Sequence, residues 1–166
     1  MEEPLGLLLL PRRLEEFELA EHARSLLAIP RVVALEPGRL HAPRALRDAI
    51  AVRQGRRLRL PGIPRLAVLY HPRQYPLARV ILARWTEVEL WYLRPDRDGL
   101  AHERAYTREE LLDLDELALA RAARAVRAWD RKELDAGTAS LRERLLELGI
   151  ISPRAFLPGA RSQRRR

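Results

Sequence analysis

Short apolar runs punctuate this chain, and between them lie longer segments in which apolar residues return every three or four positions. The runs Leu5–Leu10, Val32–Leu35, Arg65–Tyr70 and Val88–Leu93 are too short for helices and are bounded by Pro11, Pro37–Gly38, Pro64, Pro72 and Pro95, so they read as buried strands. The clearest unit spans Arg65 to Asp96. Pro76 stands where a first helical residue would, with no N–H to lose and φ already helical. Leu77, Val80, Ile81 and Trp85 follow as one helical stripe before the strand Val88–Leu93. Two buried strands joined by a helix form a parallel unit, because parallel neighbours need a long crossover.

The flanking segments repeat that alternation. Arg12–Ala28 carries Leu14, Phe17, Ala20 and Leu27 at helical spacing, with Glu15, Glu16, Glu18 and Glu21 near the positive end of the dipole. Pro43 opens a helix that should turn Leu46, Ala49 and Ile50 inward and end at Gly55. Arg94–Ala105 reads as a polar loop at a strand's carboxyl end. Thr107 and Glu110 form a capping box for a helix from Arg108 to Arg124, with Leu111, Leu114, Leu117, Ala118 and Ala122 along one side. Ala125–Trp129 is a candidate fifth strand. Ser140 and Glu143 read as a second capping box, followed by Leu141, Leu145 and Leu148 and closed by Gly149–Ile150 in a Schellman arrangement. Arg154–Leu157 is a candidate edge strand. The whole predicts one α/β, Rossmann-like three-layer domain over residues 1–158, with a mostly parallel sheet of four to six strands, then a basic flexible tail over residues 159–166.

Composition changes this picture little. The apolar fraction of 47% suits a packed core, and the absence of cysteine removes disulfides and thiolate metal sites and fits a cytoplasmic protein. No apolar stretch is long enough for a membrane span. A net charge of +8 raises nucleic acid as a partner. Against it, the basic residues are almost all arginine, scattered among 23 acidic residues, and Arg161, Arg164, Arg165 and Arg166 of the tail supply half of the excess. Nucleic acid is therefore the weaker partner reading, with the Arg56–Arg59 loop and the tail as its contacts. A third reading is a non-catalytic interaction domain that docks a sheet edge or the Arg108–Arg124 helix.

The chemistry-bearing residues gather at strand ends. Parallel sheets bind ligands outside the carboxyl ends of their strands. His71, Arg73, Gln74 and Tyr75 follow one strand, and Arg94, Asp96 and Asp98 follow the next, so they would face each other across a crevice. His71 could serve as a general base or hydrogen-bond a hydroxyl; the plainer alternative is a strand-end histidine bonded to backbone. Arg73 and Arg94 could clamp an anion, and Tyr75, with Trp91 and Tyr92, could stack on a ring, although Trp91 reads as core. Asp96 and Asp98 are candidate bases or loop caps, and Tyr106 is a further binding candidate. His22 reads as a solvated or ion-paired residue in mid-helix, and His41 as turn material. No two histidines stand at ligand spacing, so neither a metal nor a cofactor is implied. There is no G-x-G-x-x-G after the first strand, where Pro11, Arg12 and Arg13 stand instead, and no Walker A loop, G-x-S-x-G elbow or H-E-x-x-H.

Residues 65–158 resemble the amino-terminal domain of GT-B-fold glycosyltransferases. The matching segments are LAVLYHP (Leu66–Pro72), PLARVILARW (Pro76–Trp85), VELWYLRPD (Val88–Asp96), DELALARAARAVRAWD (Asp115–Asp130), ASLRERLLELGI (Ala139–Ile150) and LPG (Leu157–Gly159). The resemblance implies an acceptor-binding half-domain that works with a second, nucleotide-sugar-binding domain or chain and does not transfer sugar alone. It would use His71 to orient or deprotonate the acceptor hydroxyl, Asp96 to assist, and Arg73 and Arg94 to contact anionic groups.

Overall fold

The computed structural model describes residues 2–13, 17–37, 44–102 and 106–153. Five strands, β1 (Pro4–Leu9), β2 (Val32–Leu35), β3 (Ile63–Leu69), β4 (Glu89–Arg94) and β5 (Arg124–Arg127), form one sheet in the order β2-β1-β3-β4-β5, and every neighbouring pair is parallel. The helices are α1 (Ala20–Leu27), α2 (Arg44–Arg57), α3 (Tyr75–Arg84), α4 (Arg108–Arg121) and α5 (Arg131–Glu147). Alternate residues of each strand sort them into two layers. Leu8, Leu10, Leu66, Val68, Tyr70, Trp91 and Leu93 pack with Ala23 and Leu26 of α1 and Leu141 and Leu145 of α5. Leu7, Leu9, Ala67, Leu69, Leu90 and Tyr92 pack with Leu77, Ala78 and Ile81 of α3 and Ala118 of α4, with Ala51 of α2 alongside. The result is the expected three-layer, Rossmann-like α/β domain.

Several boundaries differ from expectation for local reasons. α1 begins at Ala20; Phe17–Leu19 form a turn, and residues 14–16 lie outside the described set. α2 runs through Gly55, which is not a cap: a Cβ there would stand 2.3 Å from Val80 Cγ1, so glycine lets α2 pass against α3. Leu46 points outward, 56% exposed, and Ala49 is exposed too. α5 starts at Arg131, where Asp130 caps the N–H groups of Lys132 and Glu133, so Ser140 lies within the helix and caps nothing. The expected helix end is present: Gly149 has φ 75°, its N–H donates to Leu146 O, and Ile150 N–H donates to Leu145 O. The candidate strand Arg154–Leu157 and the tail, residues 159–166, lie outside the described residues.

Candidate functional site

Strand order fixes where a ligand can sit. β1 leads to α1 on one face, and its neighbour β3 leads to α3 on the other, so the sheet's switch point lies between β1 and β3. The loops after β3 and β4 both lead to the α2–α3–α4 face, so they diverge less than the sequence pattern implies. At the switch point the two strand ends are tied: the buried Gln74 side chain donates from Nε2 to Leu10 O at 2.7 Å.

The cleft opens just beyond, where α2, α3 and α4 present their N-terminal ends around the carboxyl side of the sheet. It encloses about 190 Å³. Arg47, Asp48, Ile50, Ala51 and Gln54 of α2 line one wall, and Glu110, Asp113, Leu114 and Leu117 of α4 line the other, both sets at helical spacing. The floor is Arg73, Gln74, Tyr75, Pro76, Leu77 and Arg79. Tyr106 closes the rim, with the Arg47 guanidinium 3.8 Å above its ring and Arg73 5.6 Å away. Arg47 also pairs with Glu110 at 2.5 Å. The Glu110 carboxylate is thus held by Arg47, while one half of the expected capping box is present, Thr107 Oγ1 accepting the Glu110 N–H.

Of the residues expected at a site, Arg73, Gln74, Tyr75 and Tyr106 meet in this cleft. His71, Arg94, Asp96 and Asp98 are not part of its lining. His71 caps the 3-10 turn Pro72–Gln74, its Nδ1 accepting the Arg73 N–H at 3.1 Å, which is the plainer of its two sequence readings. Arg94 donates from Nε and Nη2 to the two oxygens of Asp115 at 3.1 and 2.9 Å, and Asp115 Oδ1 also accepts the Tyr92 hydroxyl at 2.7 Å. Asp115 is fully buried, and Arg97 lies 3.8 Å from it. Burial and the Asp115 carboxylate hold the Tyr92 hydroxyl far above the usual tyrosine range, and the same carboxylate raises Arg94. Arg94 is thus a strut between β4 and α4. Asp96 and Asp98 are exposed in the following turn, where Asp96 accepts the Asp98 N–H at 3.4 Å.

A second polar cluster escaped the sequence reading. His22 is half-buried rather than an open surface side chain, and no ion pair joins it to a described residue. Its Nδ1 lies 2.9 Å from the Tyr70 hydroxyl and its Nε2 3.0 Å from Thr138 Oγ1, joining α1, β3 and α5. Thr138 spends its own proton on Leu134 O at 2.7 Å, so its oxygen must accept from His22. The neutral ring is then protonated at Nε2, and Tyr70 donates to Nδ1. Burial, with the Arg142 charge adding to it, lowers the His22 pKa to about 4, and burial pushes the Tyr70 hydroxyl up.

Among the described residues, no three His, Asp or Glu side chains gather in metal-binding geometry, and no helix is long and apolar enough to cross a membrane. Comparison with known proteins found no matching family model, no matching curated protein and no matching solved structure.

Proposed function

We propose that this chain binds a small, uncharged, polyhydroxylated molecule, of the size of one sugar ring, in the cleft between α2, α3 and α4. The observation that carries this is the balance of its lining, which holds three arginines, Arg47, Arg73 and Arg79, and three acidic residues, Asp48, Glu110 and Asp113. An ion of either sign would meet as much repulsion as attraction there. A hydroxyl both donates and accepts, so a ligand carrying several can use both halves of the lining. Ile50, Leu77, Leu114 and Leu117 supply apolar surface for ring carbons. The volume of about 190 Å³ suits one ring and is too small for a dinucleotide.

A separate reading, with its site at the carboxyl ends of β3 and β4 rather than in this cleft, is the acceptor-binding half of a GT-B glycosyltransferase, completed by a nucleotide-sugar domain. Its support is the resemblance of residues 65–158 together with His71 and Asp96 following paired parallel strands. On that reading His71→Ala abolishes sugar transfer by the assembled protein without unfolding it, and unchanged transfer removes His71 from the chemistry.

Thermal-shift screening separates the cleft reading from its rivals. Neutral monosaccharides and polyols should raise the melting temperature of the wild type and not of Tyr106→Ala or Asp113→Asn. A response confined to phosphates, nucleotides or carboxylates contradicts it.

A further inference from the structure

The amino-terminal edge of the sheet carries a depression of opposite character. We infer that this is a docking groove for the phosphodiester backbone of a nucleic acid. It is a shallow, open depression where α2 ends and the chain turns towards β3, and its lining is Arg56, Arg57, Leu58, Arg59 and Arg84. Four guanidiniums and no carboxylate line it, whereas the cleft at the other end is balanced.

The ordinary reason for arginine at a helix end does not account for this cluster. Basic side chains in a last turn compensate the negative end of the helix dipole. Here Arg84 of α3 already does so: its Nη1 donates to the carbonyls of Gly55, Arg56 and Leu58 at 2.9, 3.3 and 2.7 Å, while its guanidinium lies 4.1 Å from the centre of the Trp85 ring. The side chains of Arg56, Arg57 and Arg59 are left over. All three are exposed, and no ion pair or side-chain hydrogen bond joins any of them to a described residue. Arg53, also exposed, stands three and four positions before Arg56 and Arg57 on the same helical face. Like charges at that spacing repel, so the helix holds this stripe at a cost in stability that a polyanion would relieve.

The chemistry selects the partner. Guanidiniums are planar forks that grip phosphate oxygens in pairs. A net charge of +8 draws a polyanion in from a distance. Leu58, the apolar residue of the lining, is partly buried, so the groove offers no protruding anchor for a lipid surface. Contacts of this kind position a strand without reading its bases, so binding should be independent of sequence.

The test is fluorescence anisotropy of the full chain with labelled single-stranded and duplex oligonucleotides of mixed sequence, titrated at several salt concentrations. Replacing Arg56, Arg57 and Arg59 together with glutamine should weaken binding at least tenfold at low salt. It should flatten the slope of log K against log salt by about 2 to 3, as expected for three lost phosphate contacts. Far-UV circular dichroism checks that the variant is folded, and Arg59→Gln alone, in the loop, should flatten the slope by about 1. The triple variant should still respond to ligands of the carboxyl-end cleft, so failure here and failure of the sugar reading are separate results. Unchanged affinity and slope overturn the inference. So does binding that survives the triple replacement but vanishes when Arg161, Arg164, Arg165 and Arg166 are replaced. Binding to anionic lipid vesicles or polyphosphate, but to neither oligonucleotide, overturns it as well.

Discussion

Acid should loosen the α1–α5 layer before it touches the rest of the core, and one side chain sets the scale. His22 is neutral in the fold because its Nδ1 must accept from Tyr70 while Nε2–H donates to Thr138. A second ring proton would turn Nδ1 into a donor facing the Tyr70 proton, in a site that burial and Arg142 already make hostile to charge. The folded pKa of about 4, against 6.5 for a free histidine, means that the unfolded chain binds more protons between those values. The stability His22 confers is thus complete above pH 6.5 and is lost as pH falls towards 4. At 1.36 kcal/mol per pKa unit this is at most about 3 kcal/mol, and nearer 2 once water screens the exposed edge of the ring. That is a large share of the roughly 5–15 kcal/mol by which domains are stable. Urea unfolding of the wild type and His22→Gln at pH 7, 5.5 and 4 isolates the effect, because the carboxylates titrate alike in both. The wild type should lose about 2 kcal/mol more than the variant over this range. The His22 ring signal in NMR should stay at its neutral position until the pH nears 4. Parallel stability curves, or a His22 midpoint at or above 6.5, would refute the directed hydrogen-bond chain.

Asp115→Ala should cost about 3–5 kcal/mol in chemical denaturation, because it leaves the Arg94 guanidinium and the Tyr92 hydroxyl without their shared acceptor. Tyr92→Phe, which removes one donor and leaves the Arg94 pair, should cost about 1 kcal/mol; equal losses would argue against Asp115 as the hub. Gly55→Ala should destabilise by about 1–2 kcal/mol despite alanine's better helix propensity, since the new Cβ meets Val80 Cγ1 at 2.3 Å and Val80 Cβ at 2.9 Å. Adding Val80→Ala should restore most of the loss in melting temperature, and no restoration would mean that α2 and α3 do not touch through this glycine.

Much of the architecture could be read from periodicity. The four strong apolar runs and the weaker fifth, with its single buried Val126, all became strands of one parallel sheet. Where the pattern misled, tertiary packing overrode local signals. Ser140 and Glu143 have the spacing of a capping box, yet Asp130 supplies the cap ten residues earlier, so half-buried Thr138 lies on the same helical face as the buried Leu141 and Leu145. Seen from that start, a threonine at a core position announces a polar partner, which is His22. The stripe of α4 misled in the same way. Leu117, expected on the same side as Leu111 and Ala118, is 48% exposed, while Asp115 lies between Leu111 and Ala118 at core spacing and is fully buried. A carboxylate in an apolar stripe calls for a buried cation, and Arg94 answers it. The cleft was half legible. Arg73, Gln74, Tyr75 and Tyr106 reach it from the ends of two predicted elements, but Arg47, Glu110 and Asp113 belong to helices whose relative placement depends on which face each crossover takes. Single-sequence spacing carries no signal for that choice.

Amide chemical-shift mapping tests the balanced cleft most directly. With a neutral monosaccharide that raises the melting temperature, the amides of Arg47, Arg73, Leu77, Tyr106 and Asp113 should shift together and saturably, while those around Arg56–Arg59 stay still. Shifts that cluster elsewhere, or that arise only with charged ligands, would contradict it.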